Sequence, residues 1–252
     1  MSEPTAGEAQ VVVQLRNVGK KFVLRHTRSL KEAAVWLLTG RKGDLAKKFD
    51  ALEDLSLEVR RGESVALLGL NGSGKSTTLK IISGVMSPDE GTVGVRGRLA
   101  GLIEVGAGFH VDLPGRENVY LNGAILGMTR EQIDAHFDDI VEFSEIGDFI
   151  DTEVKFYSSG MYLRLAFAVA VHTDPDIFLV DEILAVGDEP FQRKCINRIK
   201  DLVARNKTLI VVSHDLDLVQ EICTRGVVMA EGRKVFDGTC RDAVRFLRTA
   251  ER

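Results

Sequence analysis

No apolar run in this 252-residue chain approaches the ~20 residues that a membrane-spanning helix needs. The N-terminal stretch from Met1 to Gln10 is polar and acidic and lacks the apolar core of a secretion signal. Cysteine is scarce: Cys195, Cys223 and Cys240 are odd in number and widely spaced, which argues against a disulfide framework and a zinc site and fits a reducing cytoplasm. A basic excess is also missing. The net charge of −4 gives the whole chain no footprint for nucleic acid. Neither an internal repeat nor a low-complexity segment is present. What remains is 44% hydrophobic and 28% charged, enough apolar material for a sizeable core in one large α/β domain or two small ones.

Against that plain background one stretch stands out. Ser64-Val65-Ala66-Leu67-Leu68 reads as a buried strand, and Thr78-Leu79-Lys80-Ile81-Ile82 as the start of a helix. Between them lies Gly69-Leu70-Asn71-Gly72-Ser73-Gly74-Lys75-Ser76-Thr77. Strand, glycine loop, lysine, hydroxyl and helix is the phosphate-binding loop in its confirming context. The glycines let backbone N–H groups turn inward on phosphates, and the helix N-terminus adds its positive dipole end. Lys75 is expected to reach the β- and γ-phosphates, and Ser76 to bind Mg²⁺.

The rest of the chain reads as parts serving this loop. Val11–Leu15 is a first strand, and Ala51–Arg60 alternates like a strand of an antiparallel sheet. Thr92–Val95 and Leu99–Glu104 are short strands, and the segment from Gly101 to Gly115 is a glycine-rich loop. From Glu117 to Glu145 the periodicity is helical, which suggests a helical subdomain over about residues 105–160 beside the main core. Ile177–Val180 and Leu209–Val212 are continuous apolar runs, as expected of central parallel strands. Val227–Ala230 and Lys234–Phe236 form a hairpin, and Arg241–Arg248 a terminal helix. Between Arg25 and Phe49 the apolar residues Leu30, Ala33, Ala34, Leu37 and Leu38 fall on one helical face, and the segment holds the single tryptophan, Trp36. This segment carries a net +5, leaving −9 for the remainder. It reads either as a membrane-surface or partner-binding helix, or as a solvated helix with its stripe on the core.

Three chemically able groups stand at predicted strand ends. Asp181, after four apolar residues, suits Mg²⁺. Glu182, one residue on, is placed to orient and deprotonate an attacking water. His214 is placed to touch a γ-phosphate and sense its loss.

At this point the motifs resemble a family. Tyr157-Ser158-Ser159-Gly160-Met161, followed by Arg164, resembles the signature loop of ATP-binding cassette (ABC) ATPases. Val180-Asp181-Glu182 resembles their magnesium and catalytic-glutamate strand, Ala185-Val186-Gly187-Asp188 their dimer-contact loop, and Ser213-His214-Asp215 their switch histidine. The resemblance covers nearly the whole chain. The signature departs from Leu-Ser-Gly-Gly-Gln, with Ser159 for the first glycine and Met161 for the glutamine; Ser158 and Gly160 keep the groups that contact a γ-phosphate. Glu104 stands nearest the position of a glutamine that binds Mg²⁺. A stacking aromatic is expected about 29 residues before the lysine, because adenine binds an aromatic face. Phe22 lies 53 residues before Lys75, and a 24-residue insertion over 24–47 accounts for the difference. Phe49 is the rival.

The resemblance implies an α/β fold with a RecA-like parallel-sheet core, an N-terminal antiparallel β subdomain and an inserted α-helical subdomain, in one nucleotide-binding domain over 1–252. It implies ATP and Mg²⁺ as cofactors. It also implies a head-to-tail homodimer in which the phosphate loop of one chain faces the signature loop of the other, ATP between them. Ile103–His110, Gly115–Gly123, Tyr157–Tyr162 and Glu182–Asp188 further resemble the ATPase subunit of polysaccharide exporters, which move lipid-linked O-antigen, teichoic acid, capsule or galactan. That group implies a polytopic transmembrane permease pair as partner, a lipid-linked glycan substrate, no nucleic acid, and a peripheral place on the cytoplasmic face of the bacterial inner membrane. It gives the 24–49 insertion an interfacial reading, and no C-terminal carbohydrate-binding domain is expected. The alternatives are an ABC ATPase for another exported substrate, or a soluble member that takes no part in transport.

Overall fold

The computed structural model describes residues 10–24, 47–102, 108–181 and 188–250. Glu104, Glu182, Ala185–Gly187 and most of the inserted segment therefore lie outside the described residues.

Two sheets form. The smaller is antiparallel, in the order β2-β1-β4, from β1 (Val11–Leu24), β2 (Lys47–Arg60) and β4 (Glu90–Val95). The larger has the order β5-β6-β7-β3-β8-β9, from β3 (Ser64–Leu68), β5 (Leu99–Leu102), β6 (Ile177–Asp181), β7 (Thr208–Val212), β8 (Arg225–Ala230) and β9 (Arg233–Thr239). Its first five strands run parallel, and β9 returns antiparallel to β8. This is the expected α/β class. The apolar runs of β3, β6 and β7 are buried on both faces, which is why they read without alternation.

One core lies on each face of the larger sheet. On one side Val13, Leu15, Leu55 and Leu57 of the small sheet meet Val65, Leu67, Leu179 and Ile210. On the other side, α4 (Ser159–Val171), α5 (Glu189–Ala204) and α7 (Cys240–Ala250) pack through Phe167, Phe191, Ile199 and Val244. A third cluster joins α2 (Gly115–Ile125) and α3 (Arg130–Ser144) to α4 through Val119, Ile133, Ile140 and Leu165. The periodic stretch from Glu117 to Glu145 forms two helices. Gly127 breaks it at a φ of 86°, and Thr129 restarts it with a capping box completed by Gln132.

The first strand runs past Leu15 to Leu24, and residues 47–49, read as the end of the insertion, belong to β2. Phe22 pairs with Phe49, and Val23 with Lys48. Ladder hydrogen bonds override the charged side chains that hide these strand ends in the sequence.

Candidate nucleotide site

The register of the larger sheet builds the site. Leu67 is level with Val212, and Val212 with Asp181. The loop after β3, the carboxylate ending β6 and Ser213-His214 after β7 therefore leave at one edge, the carboxyl edge where open α/β sheets bind ligands. Leu102 pairs with Val180, so β5 ends at that edge too.

The loop 69–74 is shaped by close packing. Gly74 has a φ of 103°, and a Cβ there would lie 2.7 Å from the Ala51 carbonyl and from Leu52. Gly69, at a φ of 145°, abuts the Met229 carbonyl. Both positions require glycine. Ser73 N donates to Leu70 O at 3.1 Å, closing the turn, and Gly232 N donates to Ser73 O at 3.1 Å, bracing the loop from the β8–β9 hairpin. Lys75 opens α1 (Lys75–Ile82). Its buried ammonium donates to the carbonyls of Gly69 at 2.8 Å and Leu70 at 3.0 Å, folded into the loop. The N-terminus of α1 carries no side-chain cap, and the first amides of a helix lack an intrahelical acceptor, an arrangement that suits an anion. Ser73 Oγ is buried and, among the described residues, has no hydrogen-bond partner. A glycine-shaped loop at a helix N-terminus, one ammonium and an unsatisfied hydroxyl together fit a polyphosphate.

A cavity of about 190 Å³ is lined by Phe22, Phe49, Ala51, Asn71, Gly72, Gly74, Lys75, Ser76 and Thr77. A second, of about 230 Å³, joins Gly69, Leu70 and Asn71 to Ser213 and His214. The structure thus brings Phe22, Asn71, Gly72, Gly74, Lys75, Ser76, Thr77 and His214 to two adjoining hollows on the loop. Both candidate aromatics line the first, with Phe49 46% exposed and Phe22 half-buried. Ser76 and Asp181 offer hard oxygen donors, the kind Mg²⁺ takes.

The signature loop lies apart. None of Tyr157–Met161 lines either hollow. Ser158 caps α4, its hydroxyl accepting from Met161 N at 3.1 Å. Ser158 and Ser159 are exposed, so the helix N-terminus faces outward. Tyr157 anchors the loop by donating to the Phe149 carbonyl at 2.8 Å, and burial raises its phenol pKa. Asp188 caps α5, accepting from Phe191 N at 3.3 Å. Its carboxylate also accepts from Arg164, so the dimer-contact candidate is engaged within its own chain.

Sequence reading placed the β8–β9 hairpin but not its bracing of the loop. Its approach is through backbone atoms at Gly232 and Met229, and no side-chain pattern announces that. The left-handed pair Glu231 (φ 48°) and Gly232 (φ 75°) sets the turn.

A family model described as ABC transporter matches residues 52–185. The chain is 45% identical over 238 residues to an ABC transporter protein, AbcA, of Aeromonas salmonicida, covering 94% of this chain and 74% of that one. It is 43% identical over 232 residues to an O-antigen export system ATP-binding protein, RfbB, of Klebsiella pneumoniae, covering 89% and 92%. A further RfbB, from Myxococcus xanthus, is 45% identical over 221 residues, and there the chain spans about half (51%) of the relative's length. A solved ATP-binding subunit of an ABC transporter superposes with a TM-score of 0.74 at 22% identity, over 94% of both chains. A dimeric ATP-binding cassette bound to ADP and Pi superposes at 0.71 and 24%, covering 91% of this chain and 99% of that one.

Proposed function

Because the chain belongs to the ABC transporter family of ATP-binding proteins, we propose that it is the ATP-hydrolysing subunit of a bacterial exporter of lipid-linked polysaccharide. It works as a two-fold dimer under a pair of polytopic transmembrane subunits, at the cytoplasmic face of the inner membrane. No helix among the described residues is long and apolar enough to cross a membrane, so the spanning part is assigned to those partners.

One observation carries the reading: the site is divided. The phosphate loop and His214 meet at one sheet edge, while Ser158 opens an outward-facing helix that lines neither hollow. Each chain therefore holds two half-sites, and a two-fold axis pairs each phosphate loop with the other chain's signature loop. O-antigen and teichoic acid export are the named roles of relatives at 40–45% identity, and they supply the substrate class.

Within a completed site Lys75 and the α1 amides hold the phosphates, and Phe22, or its cross-strand neighbour Phe49, stacks the base. Ser76 and Asp181 would hold Mg²⁺, with Glu104 as a further oxygen donor, and the bound ion would supply positive charge against the phosphates. Glu182 orients water and takes its proton, and His214 holds the γ-phosphate end. Ser158 and the backbone at Ser159–Gly160 of the second copy close the site from the far side, their helix N-terminus presenting amides to negative charge.

The test is purification from mild-detergent membrane extracts. A polytopic subunit should co-purify, and Glu182→Gln should bind ATP normally yet lose nearly all hydrolysis. Ribosomes in place of a membrane subunit would overturn the exporter assignment. Normal turnover in Glu182→Gln would overturn the mechanism.

A further inference from the structure

Arg164 lies on α4, six residues after Ser158, and its side chain is 19% exposed. Its guanidinium is forked between two carboxylates. Nη1 donates to Glu145 Oε2 at 2.9 Å, and Nη2 donates to Asp188 Oδ1 at 2.7 Å. Its carbon lies 4.8 Å from the centre of the Phe191 ring, so the first turn of α5 forms a floor beneath it.

Each carboxylate is itself an anchor. Glu145 ends α3 in a left-handed conformation, with a φ of 58°. Its second oxygen accepts from Lys194 Nζ at 3.1 Å, and Lys194 also donates to the Phe143 carbonyl at 3.0 Å. Asp188 is the residue that starts α5. One rigid, planar group thus joins the end of α3, the signature helix and the start of α5. A fork held by different residues at its two ends cannot swing toward one without losing the other.

We propose that Arg164 is a positioning residue for hydrolysis: it ties the signature helix and the end of α3 to Asp188, so that engagement of Ser158–Gly160 by nucleotide fixes where Asp188 sits. Asp188 follows Glu182 by six residues, so the contact links the half-site a chain lends to its partner with the stretch bearing its own catalytic carboxylate. This rests on the divided-site reading above. Arg164 touches no phosphate in this role. Its removal is therefore expected to lower turnover while leaving nucleotide affinity intact.

The test is steady-state ATPase kinetics and fluorescent-nucleotide binding on the full chain, for Arg164→Met, Asp188→Asn and the double variant. Each single change is expected to lower kcat roughly ten- to a hundredfold, the scale of a misplaced catalytic group, with KM and nucleotide affinity within about twofold of wild type. The double variant should be no slower than the worse single one, since both break the same contact. Arg164→Lys, able to reach Asp188 with one ammonium, should keep more activity than Arg164→Met. An unchanged kcat in Arg164→Met, or losses that multiply in the double variant, would overturn the proposal. Should Arg164→Met fail to fold, Asp188→Asn carries the test, because its amide oxygen still caps α5; a wild-type kcat there also overturns it. Glu182→Gln assayed alongside separates the two claims. Loss of hydrolysis in Glu182→Gln with full activity in the Arg164 and Asp188 variants sinks this role alone, whereas full hydrolysis in Glu182→Gln sinks the mechanism it rests on.

Discussion

Three single residues show how burial turns a side chain into a requirement. Lys75 is buried with its charge directed at two carbonyls of the loop. Phosphate oxygens offer it stronger, charge-assisted bonds. Lys75→Ala is expected to weaken nucleotide binding by about 3 kcal/mol, roughly a hundredfold, measured by fluorescent-nucleotide titration. Asn118 is fully buried and uses both ends of its amide. Oδ1 accepts from His110 N at 2.7 Å, and Nδ2 donates to the carbonyls of His110, Leu113 and Pro114 at 3.0 Å each. It thereby pins the chain entering α2. Asn118→Ala strands those backbone groups and should destabilise the fold by about 3 kcal/mol, seen as a lower urea midpoint at unchanged slope. His172 supplies a pH dependence. Burial, opposed by the Ala168 carbonyl 2.7 Å from Nδ1 and reinforced by nearby Arg198, holds its pKa below the usual 6.5. The unfolded chain therefore binds this proton more readily than the folded one. The stability contribution is complete above pH 6.5 and is lost as pH falls through the folded-state pKa. The drop in melting temperature between about pH 7.5 and pH 5.5 should be smaller in His172→Gln than in wild type.

At the scale of elements, α7 docks closely on β8. A Cβ at Gly226 would collide with Ala243 of α7 and sit 3.2 Å from the Cys240 Cα. Nothing in the backbone angle forbids a side chain at Gly226; the neighbouring helix does. Gly226→Ala should therefore push α7 outward and cost about 2 kcal/mol, read from chemical denaturation. This kind of constraint explains what the sequence could disclose. Strands β3, β6 and β7 were legible because burial on both faces leaves continuous apolar runs. The phosphate loop, Asp181 and His214 were legible because each follows such a run directly, and the sheet's register then aligns them. The far ends of β1 and β2 were not, since Lys20, Lys21, Lys47 and Lys48 mask a pairing made by the backbone. The Arg164 fork was equally invisible. Its partners Glu145 and Asp188 lie 19 and 24 residues away along the chain, and only the packing of α3, α4 and α5 brings them together.

For the whole molecule, the uneven partition of charge decides how the chain meets its surroundings. The segment from Arg25 to Phe49 carries +5 while the rest carries −9. The rest of the chain thus repels an anionic surface overall, and any attraction must come from this one stretch. It leaves from the end of β1 and returns at the start of β2, beside the Phe22–Phe49 pair that lines the nucleotide cavity. Basic residues near an anionic membrane contribute about 1 kcal/mol each, and a tryptophan suits the headgroup layer. Reversing Lys31, Arg41 and Lys42 to Glu takes the segment from +5 to −1. Affinity of the purified chain for anionic vesicles should then fall by several orders of magnitude at low salt, with neutral vesicles showing no comparable change. Basal ATP hydrolysis should be little affected, because none of the three residues belongs to the phosphate loop, the strand-end acids or the signature helix. Export of surface polysaccharide in cells carrying the triple variant should drop well below what the loss of hydrolysis accounts for. Vesicle binding and export that both match wild type would return the segment to a solvated face, its apolar stripe of Leu30, Ala33, Ala34, Leu37 and Leu38 covered by protein and not by lipid.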